Sequence, residues 1–354
     1  MQALRQGRGT MNMRRKATGR LGIRFEGFEG LDEARALALA AESAGASSIW
    51  MTQHLGGRDA PTLATIIASG TQRIRVVPSN LSPFIAHPTT VAMMLATLSE
   101  FAPGRVAASI GIGNPLDLSQ SGAIVEDAED AVCDFVGALD RLFARTPVEF
   151  EGRTFRLNGA KLNVAAGVAT LVATQVATPI YITCLEPKMA RRAGATSASL
   201  QLSAGFSPAF AGACVEAFDG GASQAGIDAS GRPRACFAYF GTDERESFEG
   251  VRRKLAYLFR NRLMAENIRL SGLPIDQPAI IECIARRDLD AATALVPDAA
   301  VEAFAVTGSV TSCVATVRRF FDAGIDEMLI NVGSTDAERK AAFELIAAVN
   351  GPTA

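Results

Sequence analysis

Between residues 21 and 332 the chain repeats one pattern eight times: a short β-branched or apolar run, usually followed by a longer stretch whose apolar residues recur at helical spacing. Strands are expected near LGIRF (21–25), ASSIWM (46–51), RIRVVPSN (73–80), GRVAASIG (104–111), PIYITC (179–184), ASLQLS (198–203), RACFAYF (234–240) and DEMLINV (326–332). The first helix, LDEARALALAAESAG, sets Leu31, Ala34, Leu37, Ala38 and Ala41 on one face and stops at Gly45. Comparable helices are expected at 60–70, 88–101, 124–145, 207–226, 310–323 and 335–349. Eight βα units in succession predict an α/β fold, a (β/α)8 TIM barrel with insertions at its C-terminal mouth. A doubly wound open sheet is the alternative.

Two stretches exceed simple connections, 146–178, which contains FEGRTFRLNGAKLNV, and 243–305, which reads as mainly helical. Both are expected over the mouth, on the substrate side, as insertions into one domain spanning 21–350. The first twenty residues carry six basic side chains and no acidic one, without the apolar core of a secretory signal. They read as a disordered basic tail, or as a mis-assigned start ahead of Met11 or Met13. The apolar run 164–173 is shorter than the roughly 20 residues a bilayer span requires, so no membrane association is expected.

Composition narrows the chemistry. Thirty-five basic against 37 acidic residues, a net charge of −2, give no broad attraction to nucleic acid or anionic membranes, which leaves a small-molecule substrate as the expected partner. The nearest two of the six cysteines, Cys214 and Cys236, lie 22 residues apart, so neither a CxxC pair nor a zinc cluster is expected, and free thiols suit a cytoplasmic protein. With His54 and His87 the only histidines, no metal site is expected.

A barrel carries its function at the C-terminal strand ends. Those positions here, among them Glu26, His54, Ser79, Asn80, Gly111 to Asn114, Cys184, Ser203, Tyr239 and Asn331, are poor in nucleophiles and suit a cofactor that brings its own reactivity. His54 follows the second strand directly and is the catalytic candidate, able to donate a hydrogen bond or move a proton near neutral pH. Ser79 and Asn80 form a polar turn after the third strand that can meet a ligand. In Gly111-Ile112-Gly113-Asn114-Pro115, the two glycines can bring the main chain against a flat ligand and tolerate positive φ. Cys184 ends the fifth strand with no histidine nearby in sequence to activate it. His87, before Pro88, reads as a structural or anion-facing cap.

Five segments, AESAGASSIWMTQHL (41–55), TLATIIASGTQRIRVVPSNLSPFIAHP (62–88), MLATLSEFAPGRVAASIGIGNP (94–115), TPIYITCLEPKMARRAG (178–194) and VEAFAVTGSVTSCVATVRRFFDAGIDEMLI (301–330), together resemble the bacterial luciferase-like superfamily of flavin-dependent oxidoreductases, and in particular its methylenetetrahydromethanopterin reductase-like branch. The resemblance implies a barrel that binds FMN or coenzyme F420 at its mouth and transfers hydride to, or activates oxygen on, a small organic substrate. It also implies a homodimer and, for an FMN enzyme, a flavin reductase as partner. By position, His54 is the histidine of an acid–histidine pair whose acid is here Gln53, and Ser79 and Asn80 fall at a bulge that carries a non-prolyl cis bond behind the cofactor ring. Gly111, Gly113 and Asn114 would line the cofactor pocket. Thr183 and Cys184 open a loop that commonly reads Gly-x-x-Gly-Pro and helps hold the cofactor phosphate; here it ends in Glu186-Pro187. Ala86 stands where an arginine is common. The joint departures at Gln53, Ser79, Ala86 and Glu186 motivate an alternative, a non-catalytic barrel serving as a binding or scaffold protein.

Overall fold

Each of the eight apolar runs forms a strand in the computed structural model, which describes residues 19–164 and 179–351. The strands in chain order are β1 (Arg20–Phe25), β2 (Ser48–Thr52), β3 (Arg75–Ser79) and β4 (Ala108–Ile110), a hairpin β5 (Val148–Glu151) and β6 (Arg156–Ala160), then β7 (Ile180–Cys184), β8 (Ser199–Leu202) and β9 (Arg234–Ala238). A two-residue parallel pair, β10 (Phe240–Gly241) and β11 (Val306–Thr307), precedes β12 (Glu327–Ile330). Eight strands share one parallel sheet in the order β3-β2-β1-β12-β9-β8-β7-β4, and parallel bridges Val76–Val106 and Leu81–Ile110 join its two edges. The sheet thereby closes into the expected (β/α)8 barrel.

Alternation along each strand explains why the runs are so continuously apolar: one set of side chains fills the barrel and the other packs under the helices. Trp50, Val77, Ala107, Tyr181, Ala235, Phe237 and Leu329 form the inner cluster, with Trp50 edge-on to Tyr181 at 4.9 Å. At the base, buried Glu327 accepts from Ser48 Oγ at 2.7 Å and pairs with Arg75 at 3.3 Å. A charge removed from water needs such partners to remain ionised.

The described part of the first insertion contains the β5–β6 hairpin, which packs on the helix Ala128–Phe143. Its Phe155 packs edge-on against Phe135 and His87, and Arg153 at its turn pairs with Asp127 and Asp130 at the helix start. These contacts seat the hairpin's apolar face on that helix and on the start of the helix Pro88–Phe101. His87 accordingly serves as a cap, its Nδ1 accepting from Thr89 N at 3.3 Å.

The second insertion is helical, as expected, and its first helix, Arg245–Phe259, reaches over the mouth. Leu258 fills the space beside Gly205, Lys254 Nζ lies 5.6 Å from the Tyr239 ring, and Ser247 Oγ donates to Glu338 at 2.6 Å. Two short helices, Pro115–Gln120 and Pro187–Gly194, escape a reading by periodicity because neither is long enough to show a full amphipathic repeat. The basic tail through residue 18 and the run 165–178 lie outside the described residues. Among the described residues no helix is long and apolar enough to cross a membrane.

Candidate active site

Register brings the first acid to His54. Because Phe25 pairs with Met51, the ends of β1 and β2 emerge side by side, and Glu26 Oε2 lies 3.2 Å from His54 Nε2. Beneath them Arg24 points into the barrel: its Nε donates to Thr52 Oγ1 at 2.6 Å, its NH2 lies 3.7 Å from Glu26 Oε2, and its guanidinium stands 4.1 Å over the Phe237 ring. Burial works against the Glu26 charge, but Arg24 and the His54 hydrogen bond outweigh it and hold the carboxyl down at about 2. The imidazole lies between two carboxylates, Glu26 at Nε2 and Asp117, whose Oδ2 is 3.8 Å from Nδ1. Phe28, 65% exposed, stacks on the imidazole at 5.7 Å.

Gln53 takes no part in this pair. Its Oε1 accepts from Ala60 N at 2.8 Å and so serves the start of the helix Ala60–Gly70. The acid partner absent beside His54 in the sequence is supplied from the neighbouring strand.

Ser79 is buried at the end of β3, and its carbonyl accepts from Gln53 N at 2.8 Å. No peptide bond is cis among the described residues, so the Ser79–Asn80 link is trans, which corrects the bulge geometry implied by the family resemblance. The irregular residue is Asn80, with φ of 62°, a left-handed conformation that asparagine tolerates better than most. Its side chain crosses to β4, where a Cβ on Gly111 would lie 2.0 Å from Asn80 Oδ1. Gly113 carries φ of 97°, and Asn114 Oδ1 caps the helix Pro115–Gln120 through Leu116 N at 3.0 Å. The glycines of this loop are therefore required by contacts within the protein, Asn80 above all, before any ligand is considered.

On β7 the alternation separates two adjacent candidates. Thr183 points inward, where its hydroxyl lies 2.7 Å from Ser109 Oγ and donates to Gln201 Oε1 at 2.8 Å. Cys184 points outward and is fully buried, and burial pushes its thiol well up. Such a thiol is a core residue, neither nucleophile nor cofactor ligand, which corrects the expectation at this position. Glu186 occupies the cap position of the helix Pro187–Gly194 without capping it through its side chain. Sequence reading also missed Arg24 and Asp117, whose roles depend on strand register and on a short helix.

Two cavities flank the His54 region. One of about 580 Å³ opens beside Arg24, Glu26, Phe28, Lys254 and Asn331. Burial, and then the Glu26 charge, push the nearby Tyr239 hydroxyl up to about 12, so it stays protonated as a donor. The other, about 310 Å³, lies beyond Asn80 and Asp117. No cluster of three or more His, Cys, Asp or Glu able to hold a metal ion occurs among the described residues.

The upper barrel thus offers an Asn80 amide with no side-chain hydrogen bond among the described residues, the Thr183–Ser109–Gln201 network, half-buried main chain at Ile112 and Gly113, and an acid-supported histidine. These groups fit the polar edge of a planar redox cofactor, while no side chain here is equipped as a nucleophile. A parallel barrel with such a mouth belongs to the cofactor-dependent oxidoreductase class. Sequence comparison gives the family: residues 9–327 match the luciferase-like monooxygenase profile, and the chain belongs to that family.

Among its relatives is the 5,10-methylenetetrahydromethanopterin reductase of Methanolobus tindarius, 24% identical over 295 residues that cover 82% of this chain and 86% of the relative. The fold is shared with the coenzyme F420-dependent tetrahydromethanopterin reductase of Methanopyrus kandleri, with a TM-score of 0.80, 22% identity and coverage of 94% and 98% of the two chains. It is also shared with the FMN-complexed oxygenating constituent of 3,6-diketocamphane monooxygenase from Pseudomonas putida, with a TM-score of 0.65, 18% identity and coverage of 95% and 98%.

Proposed function

We propose that this protein is an oxidoreductase that uses coenzyme F420 or FMN at the barrel mouth to act on a small organic substrate. The observation that carries the reading is the His54–Glu26 pair, complete despite the glutamine at position 53. The bound cofactor supplies the redox chemistry, as hydride or as a reduced ring that activates oxygen, which the polypeptide lacks. Asn80, Gly111, Gly113, Asn114 and Thr183 hold and orient the ring, and the buried Ser79 supports Asn80 from below. His54 holds a proton at Nε2 against Glu26 and accepts one at Nδ1, while Arg24 keeps Glu26 ionised through that exchange. The helix Arg245–Phe259 limits water at the mouth.

Similarity to the F420-dependent glucose-6-phosphate dehydrogenases of Nakamurella multipartita and Mycolicibacterium fortuitum favours F420. We take the assembly to be a cytoplasmic homodimer, and an FMN form would depend on a flavin reductase. Fluorescence and thermal-shift titration of the purified protein with F420, FMN and FAD, beside His54→Ala, tests the reading. Saturable micromolar binding of F420 or FMN, weakened in the variant, is expected. Failure of all three to bind would overturn it in favour of the non-catalytic barrel.

A further inference from the structure

The smaller cavity differs in chemistry from the rest of the mouth. Leu55, Leu81, Ile85, Ala86, Met94 and Leu118 supply most of its wall. Its roughly 310 Å³ admits about ten non-hydrogen atoms at the ~30 Å³ of a water-sized group. Ala86 contributes a half-buried methyl group to this wall.

The polar atoms of the wall are mostly engaged already. Gln53 Oε1 takes Ala60 N, Ser82 Oγ donates to Ile112 O at 2.6 Å, Asp59 caps the helix Ala60–Gly70 through Thr62, and Asn114 caps Pro115–Gln120. Two groups remain with capacity to spare. Asn80 has no side-chain hydrogen bond among the described residues, and Asp117 has His54 Nδ1 as its neighbour at 3.8 Å. Both line the cavity, Asp117 on the side of His54 and Asn80 on the side of Gly111. The ionisable side chains lining the chamber are Asp59, exposed and engaged as a helix cap, and half-buried Asp117, both acids with no basic side chain beside them, so Asp117 supplies most of the repulsion an anion meets.

We infer that this chamber binds the hydrocarbon body of an uncharged substrate, with a single hydroxyl or amide head placed between Asn80 and Asp117 and facing His54. The assignment rests on the oxidoreductase reading for its link to catalysis, though not for binding itself. The head donates to Asp117 and accepts from one N–H of the Asn80 amide, whose other N–H is left for the cofactor ring. Selectivity then has two separable origins: the apolar wall sets size, and the two carboxylates exclude acids. Met94, with its adaptable side chain, lets the wall follow different hydrocarbon shapes.

The probes are 1-octanol and octanoate, matched in chain length and opposite in charge state, titrated by calorimetry into the protein without added cofactor at neutral pH. Octanol is expected to bind at least tenfold more tightly than octanoate. Ala86→Phe, which fills the chamber, is expected to weaken octanol at least tenfold while far-UV circular dichroism stays unchanged. Asp117→Asn, a substitution of equal size at a partly exposed site, is expected to bring octanoate within threefold of octanol. Equal binding of the two probes by the unmodified protein, or full octanol affinity in a folded Ala86→Phe, would overturn the assignment. Should Ala86→Phe fail to fold, the octanoate response of Asp117→Asn decides: an unchanged gap between the probes counts against the inference. Octanol binding in a protein that takes neither F420 nor FMN leaves the chamber standing and removes the oxidoreductase reading; the converse result does the opposite.

Discussion

Glu26 Oε2 accepts a hydrogen bond from His54 Nε2 at 3.2 Å, across two strands whose ends are neighbours only because the sheet is parallel and in register. Glu26→Gln keeps the size and an acceptor oxygen but removes the charge that orients and stabilises the imidazole. It is expected to lower kcat/KM about 10- to 100-fold, at the lower end of what a positioned proton-transfer group contributes. Measured across the pH range, kcat/KM gives the readout, since no carboxylate then faces His54 Nε2. A profile unchanged in both height and position would remove Glu26 from the catalytic pair.

Gly111→Ala places a methyl group 2.0 Å from Asn80 Oδ1. Overpacking of this kind costs about 1–3 kcal/mol, and it displaces the amide that faces the ligand, so cofactor affinity should fall with the melting temperature. Asn80→Gly relieves both the collision and the left-handed backbone. The double variant should therefore be more stable than the sum of the two single effects predicts, as denaturant titration of all four proteins will show.

Cys184→Ser tests the outward orientation on β7. A hydroxyl in that apolar site costs about 1–3 kcal/mol without a partner, whereas kcat per folded molecule should stay the same. Thiol alkylation of the native protein under non-denaturing conditions should leave Cys184 unmodified, which peptide mass spectrometry can check.

Glu338 gives a pH-dependent prediction. Burial opposes its charge, but Ser247 and the amides of Ser334 and Thr335 hold the carboxyl at about 2, against 4.5 for an ordinary glutamate. Since the folded value is depressed, its stabilisation is fully present above pH 4.5 and is lost as pH falls from 4.5 towards 2. Glu338→Gln should cost about 1 kcal/mol near neutrality, typical of a helix cap. The gap between the two melting temperatures should close as the pH approaches 2.

What the sequence discloses and what it conceals follow from the range of the interactions. The eight strands are written in local runs such as RIRVVPSN and DEMLINV, and the mouth follows from counting their C-terminal ends. The β5–β6 hairpin hides within FEGRTFRLNGA because Gly152 and Gly159 interrupt the strand pattern and the apolar face is shared with the distant Phe135. At the site, His54 and Asn80 are legible from position alone. Their partners are not: Glu26 lies 28 residues before His54 and Gly111 lies 31 after Asn80, distances that only strand register collapses. Cys184 misleads for the opposite reason, since a strand end names two adjacent residues and only alternation tells which faces inward.

The plug of Glu327, Arg75, Trp50 and Tyr181 at the base of the barrel makes the protein a vessel open at one end. On the oxidoreductase reading proposed above, cofactor and substrate would both reach the reacting centre from the opposite, C-terminal end. Binding in a fixed order, the deeper-seated molecule first, is then the expected kinetic pattern, and product-inhibition measurements check it.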